Sequence, residues 1–287
     1  MASVKELRAR IRSLKSTQQI TKAMKQIAAA KIRRAEQRQK EARPYAEAIG
    51  EMLRDLIEAV GTVDHPFMRP GKEGAPRGIV LLTSDRGLAG AFNSNLVRSA
   101  EGDLRGGGGS SQWYTVGNKG RNAVRRLGQQ IALERPLGSG DKLTIAQEVA
   151  ARAGDDFASG KLSEVVLISS RLITHMTQRP ERRTLLPLAP AESTERSGAR
   201  AAVEFLPSPE FVLTKLLPKY LEFTLYSAML ETDAAYFSAQ LVAMTNATDN
   251  ADDLIDQYTL EMNKARQAAI TKEMLEIVGG AEAVAAT

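Results

Sequence analysis

A serine followed by an aspartate, directly after an apolar run, is a position from which a hydrolase could attack or a nucleotide enzyme could grip phosphate. Here the stretch reads TSDRGLAGAFN, Thr83 to Asn93. Phosphate binding needs several backbone N–H groups converging on one anion, supplied by G-x-G-x-x-G or G-x-x-x-x-G-K-[ST]. The glycines here stand at 87 and 90 and fit neither pattern. GNKGRN, Gly117 to Asn122, fails the same tests. Ser84–Asp85 is not set in a nucleophile elbow either. Both stretches read as strand-to-helix turns.

Other residue groups invite chemistry more weakly. His65 and His175 are the only histidines, far apart in sequence, and there is no cysteine, which removes thiolate ligands, disulfides and cysteine nucleophiles. Asp249, Asp252, Asp253 and Asp256 stand at i, i+3, i+4 and i+7, one helical face of acids. Pairing with a basic helix is the simpler account of them than a metal. The basic run Lys31 to Arg43 has no aromatic until Tyr45, so a base-stacking platform is missing. Arg266, Gln267, Thr271 and Glu273 are different. They fall on the last helical turns, past the end of the apolar pattern, where nothing in the composition requires them.

The elements that carry these residues follow from pattern. Ser3 and Glu6 form a capping box opening a helix over residues 1–60. Its stripe runs Val4, Leu7, Ile11, Leu14, then Thr17, Ile20, Met24 and Ile27. Pro44 is expected to kink or break it near Arg43. Residues 61–76 are a Gly/Pro-rich linker. An α/β pattern fills 77–200: strands at GIVLLTSD, QWYTVG, EVVLISSRLI and RRTLLPL, and helices over Asn93–Leu104, Lys119–Gln129 and Leu143–Phe157. LRGGGGSS reads as a flexible loop and APAESTERSGARAA as a polar stretch. The alternation predicts a small, mostly parallel sheet. Residues 209–287 return to helix.

The two ends are electrostatic complements. Residues 1–43 hold thirteen Lys/Arg against three Glu, and residues 210–287 hold five against twelve Asp/Glu. From Leu241 a stripe steps by three and four through Met244, Thr248, Ala251, Ile255, Tyr258, Met262, Ala265 and Ala269. That seven-residue repeat implies a supercoil with a partner helix. The basic first helix and the acidic last helix of the same chain are therefore expected to pack antiparallel, with the α/β segment between them in sequence. Of the 287 residues 25% are charged and 43% hydrophobic, which excludes a disordered chain. No signal peptide or membrane-spanning helix is expected.

ITKAMKQIAAAKIRRA, TSDRGLAGAFN, LLPKYLE, AMTNATDNA and NKARQAAITKEMLEIVGGAEA, in this order, resemble the gamma subunits of F-type ATP synthases over nearly the whole chain. The resemblance implies a two-helix coiled coil of the N- and C-terminal helices joined to a small Rossmann-like domain. It implies a non-catalytic central rotor of bacterial type, on the cytoplasmic side of the cell membrane. Its partners would be a hexameric ring of alpha and beta subunits, an epsilon subunit and the membrane c-ring. It carries no cofactor of its own and no direct membrane insertion. Contacts with beta would fall on Met24, Arg266, Gln267, Thr271 and Glu273. The family usually has Ser-Glu-x-x-x-Arg before AMTNATDNA, whereas this chain has Tyr236 and Gln240 at the Glu and Arg positions. GLAG replaces the common GLCG. Two other functions compete: a nucleic-acid-binding coiled coil, whose affinity would fall steeply with salt, and a small α/β enzyme with a helical arm, which would bind nucleotide alone.

Overall fold

The computed structural model describes residues 3–60, 65–106, 111–138, 140–188, 206 and 208–285. The elements in order are α1 (Val4–Val60), β1 (Arg77–Leu82), α2 (Phe92–Gly106), β2 (Ser111–Val116), α3 (Asn118–Arg126), β3 (Ile131–Arg135), α4 (Lys142–Ala158), β4 (Val165–Thr174), β5 (Thr177–Leu186) and α5 (Pro209–Ala285). They form two compact units, residues 1–28 with 241–287, and residues 29–240.

In the first unit the chain is two helices. Arg10 sits over the Tyr258 ring at 5.8 Å, Gln18 donates to Asp252, and the Thr21 and Thr248 hydroxyls hydrogen-bond at 2.8 Å. Rising numbers on α1 meet falling numbers on α5, so the pair is antiparallel. On α5 the expected seam is buried or half-buried through Ala265. On α1 the seam departs from the expected stripe. The least exposed positions run 4, 7, 11, 14, 18, 21, 25 and 28 in three-four alternation, with Met24 half-buried beside them. Ile20 and Ile27 face outward, 57% and 55% exposed, while Thr21 and Ala28 are buried. The small side chains let the backbones approach, and the buried hydroxyls satisfy each other. Hydrophobicity alone pointed to the wrong register.

The expected charge pairing also fails. Among the described residues no ion pair joins 4–28 to 241–285, and the four aspartates are exposed. Exposed ion pairs contribute only about 0–1 kcal/mol against the entropy of fixing two long side chains, so packing sets the seam. Cysteines at Thr21 and Thr248 should close an intrachain disulfide on oxidation, because the two Oγ atoms already touch. Non-reducing electrophoresis showing only interchain dimers would contradict the hairpin.

In the second unit the sheet order is β3-β2-β1-β4-β5, parallel except for β5, which pairs antiparallel with β4. Alternate residues of β1 face opposite cores. Val80 and Leu82 join Tyr114, Val116, Leu167, α4 and Leu221–Met229 of α5. Ile79 and Leu81 join Trp113, Val166, Ile168, α2, α3 and Ala235–Ala239 of α5. Leu53 and Leu56 of α1 pack with Leu213 and Leu217 of α5 in a smaller cluster. β3 was not expected. Its five residues are an edge strand, mostly half-buried, with an apolar run of only three residues, Ile131 to Leu133, to mark them.

Pro44 does not end α1. Its side chain and Lys40, whose carbonyl loses a helix hydrogen bond, are both exposed, so water satisfies the vacancy. LRGGGGSS divides: Leu104 to Gly106 lie in α2 and Ser111 opens β2, while 107–110 lie outside the described residues. Residues 61–64 of the linker and all of APAESTERSGARAA lie outside them too.

One buried charge stabilises this unit. The Asp156 carboxylate accepts from Tyr114 Oη (2.8 Å), Gln112 Nε2 (2.9 Å), Arg152 Nε (2.9 Å) and Lys161 Nζ (3.2 Å). Burial pushes its pKa up, but the hydrogen bonds from Tyr114, Lys161 and Arg152 outweigh that and hold it below the usual range. A depressed carboxylate stabilises the fold above its unfolded value, roughly 4, and the contribution is lost as pH falls through the lower folded value. Asp156→Asn should therefore flatten the acid limb of a melting-temperature profile below about pH 5. An unchanged slope would refute the assignment.

Candidate functional site: strand-end loops and helix termini

The loops at the C-terminal ends of β1, β2 and β3 converge on Asp85. Its Oδ1 accepts from Asn118 N (2.9 Å) and Leu137 N (3.1 Å), and its Oδ2 from Gly138 N (2.6 Å). Backbone N–H groups converging at a helix N-terminus are what an α/β protein offers to phosphate. Here an internal carboxylate takes that place. Ser84 is spent on its own turn, with its hydroxyl donating to Arg86 O (2.6 Å) and its N–H to Asn93 Oδ1 (3.1 Å). It has no histidine beside it to make it a nucleophile.

GNKGRN is likewise a packing device. Gly117 has φ +106°, and a Cβ there would fall 2.1 Å from Thr83 O. Gly120 donates its N–H to Thr83 Oγ1 at 2.8 Å, and a Cβ on it would collide with that oxygen. Only glycine allows β1 and the start of α3 to approach this closely.

The histidines stay apart. His65 Nδ1 accepts from Phe67 N at 3.1 Å, and burial lowers its pKa. His175 Nε2 lies 3.5 Å from Glu36 Oε1. Among the described residues no group of three His, Asp or Glu side chains is placed to hold a metal.

The residues expected at a partner surface fall in two places. Arg266, Gln267, Thr271 and Glu273 are all exposed on α5, beyond the last seam residue. Thr271 Oγ1 donates to Gln267 O at 3.0 Å, and neither Arg266 nor Glu273 has an ion-pair partner among the described residues. Met24 is half-buried on α1. Gln240 is only 9% exposed, so it presents little side chain to any partner. Around the polar group lie bulky apolar residues that no described part of the chain covers. Met274, Leu275 and Ile277 are 62%, 67% and 72% exposed, and Ile270 and Val278 are exposed beside them. Sequence reading passed over these apolar side chains, although their spacing on all sides of the helix, outside any single stripe, was a signal for them.

A sequence model of the ATP synthase family matches residues 3–284. An ATP synthase gamma chain from Symbiobacterium thermophilum is 44% identical over 284 residues, covering 98% of both chains. One from Pelotomaculum thermopropionicum is 43% identical, over 99% of this chain and 100% of the relative. Among solved structures, a chain of the Euglena gracilis mitochondrial ATP synthase OSCP/F1/c-ring assembly superposes with a TM-score of 0.67 at 17% identity, covering 98% of this chain and 94% of that one. A chain of the Tetrahymena thermophila mitochondrial ATP synthase central stalk and c-ring gives 0.60 at 23% identity, covering 79% and 99%. Matched by the family model over residues 3–284 and by these relatives over nearly its whole length, the chain belongs to the ATP synthase gamma-chain family.

Proposed function

We propose that the chain is the central rotor subunit of a bacterial F-type ATP synthase. It couples ion flow through the membrane sector to ATP synthesis or hydrolysis at the beta subunits by rotating within a ring of alpha and beta subunits. The chain is not itself catalytic. Nucleotide is bound by the ring, and an asymmetric shaft makes three chemically identical sites inequivalent. Turning the shaft changes which beta conformation is favoured, because its contacts differ among the three.

The observation that carries this reading is the end of α5. A helix with Ile270, Met274, Leu275, Ile277 and Val278 all exposed is an aggregation hazard unless another protein surrounds it. The polar residues among them, Arg266, Gln267, Thr271 and Glu273, supply directional contacts to the same sheath, with Met24 contributing from α1. Gln240, being buried, adds little. The α/β sheet is the part left to face the epsilon subunit and the c-ring. Among the described residues no helix is long and apolar enough to cross a membrane. The reading puts the chain peripherally on the cytoplasmic face of the cell membrane.

Affinity purification of the tagged chain from its own cells should bring down alpha and beta subunits in a stable complex with ATPase activity. Recovery of nucleic acid lost at high salt, or tight ATP binding by the isolated chain, would overturn the reading.

A further inference from the structure

Within residues 29–240, α5 does not keep to one side of the sheet. Leu221, Leu225 and Met229 belong to one core, and Ala235, Tyr236 and Ala239 to the other. The helix changes cores between Met229 and Ala235. The sheet is open at the same level. β4 pairs with β1 only over Val165–Ile168, yet it runs on to Thr174. Past Ile168 its N–H groups on that side have no neighbouring strand. Ser170 N donates instead to Thr232 Oγ1 at 3.3 Å, and Leu172 N to Glu231 Oε1 at 3.2 Å. Two side chains of a helix stand in for the missing strand.

The next residues reach other segments. Asp233 Oδ2 lies 3.2 Å from Lys142 Nζ at the start of α4, with both side chains largely buried. Tyr236 Oη donates to Gly87 O at 3.2 Å, and its ring meets Phe92 edge-on at 5.8 Å. Thr232 is fully buried. Four polar side chains within six residues thus engage β4, α4 and the β1–α2 turn.

The place matters. β2 lies on one side of β1 and β4 on the other, so the strand order reverses between β1 and β4. The crevice outside the carboxyl ends of such a pair is where open α/β sheets bind their ligands. We propose that the α5 segment Glu231–Tyr236 occupies this crevice as a keyed joint, fixing the sheet's orientation on the helical part of residues 29–240. A ligand site of the fold has become a mechanical fastening. Tyr236 is part of the key, which gives its departure from the family's Glu an internal role. In a rotor, twist would cross between sheet and shaft at this joint, but the joint itself does not rest on that function.

The full chain has no cysteine, so nitroxide labels can be placed at Arg98→Cys on α2 and Lys215→Cys on α5. Pulsed electron paramagnetic resonance then reads the spread of sheet-to-helix distances. With Glu231→Met, Thr232→Val and Tyr236→Phe combined, the distribution should broaden at least about twofold. Amides of Ser170 and Leu172 should exchange about tenfold faster, while Ile79–Leu82 keep their protection. If the triple variant does not fold, Thr232→Val alone must still accelerate the Ser170 amide, and Glu231→Gln, which keeps an acceptor, must leave Leu172 protected. An unchanged distance spread with both amides still protected would overturn the joint. So would acceleration spread evenly through β1 and β2, which would mean general destabilisation.

Discussion

Replacing Arg266 and Gln267 together by alanine should lower assembly or turnover of the complex by about 10- to 100-fold and leave folding of the free chain almost unchanged. Both side chains are exposed on α5 beyond the seam, so their loss empties no core. A charge-assisted hydrogen bond across a partly buried contact contributes about 1.5–3 kcal/mol, which sets the size of the effect. Turnover and assembly yield of the reconstituted complex are measured beside the melting temperature of the free chain. Wild-type values in all three would remove the contact role, and a large fall in melting temperature would reassign the pair to structure.

Asp85→Ala should act in the opposite sense, on folding first. It leaves three backbone N–H groups, those of Asn118, Leu137 and Gly138, without their acceptor. Charge-assisted bonds to partly buried donors suggest a loss of about 3–5 kcal/mol, reduced where water can enter. Asp85→Asn keeps one acceptor oxygen and should lose roughly half as much. Urea denaturation followed by circular dichroism measures both. An alanine variant within about 0.5 kcal/mol of wild type would show that the carboxylate does not tie the three loops together.

The two variants mark how far sequence could be read. The β1 run GIVLLT is buried on both faces, and continuous hydrophobicity announced it. The α5 seam repeats every seven residues and announced its partner. β3 escaped because Ile131–Arg135 is a short edge strand whose apolar run is only three residues long. The α1 register escaped because Thr21 and Ala28, not Ile20 and Ile27, face the partner helix. Close approach favours small side chains, and a hydrophobicity scale ranks them low. Pro44 did not end the helix because an exposed proline there costs one hydrogen bond that solvent replaces.

The tip residues Arg266 to Glu273 were visible as polar groups beyond the seam. Asp85, Glu231 and Thr232 were not, since each acts on backbone groups distant in sequence, and no spacing rule links an acid to an amide 52 residues away. The departure at Tyr236 was visible, but its hydrogen bond to Gly87, 149 residues distant, was not.

The rotor function is tested most directly by watching the chain turn. The alpha–beta ring would be fixed to a surface and a bead attached through Arg98→Cys in the otherwise cysteine-free chain. On adding ATP, the bead should rotate in one direction with pauses at threefold positions, stopping when ATP is exhausted. ATP hydrolysis at the full rate with the bead held stationary relative to the ring would contradict the account.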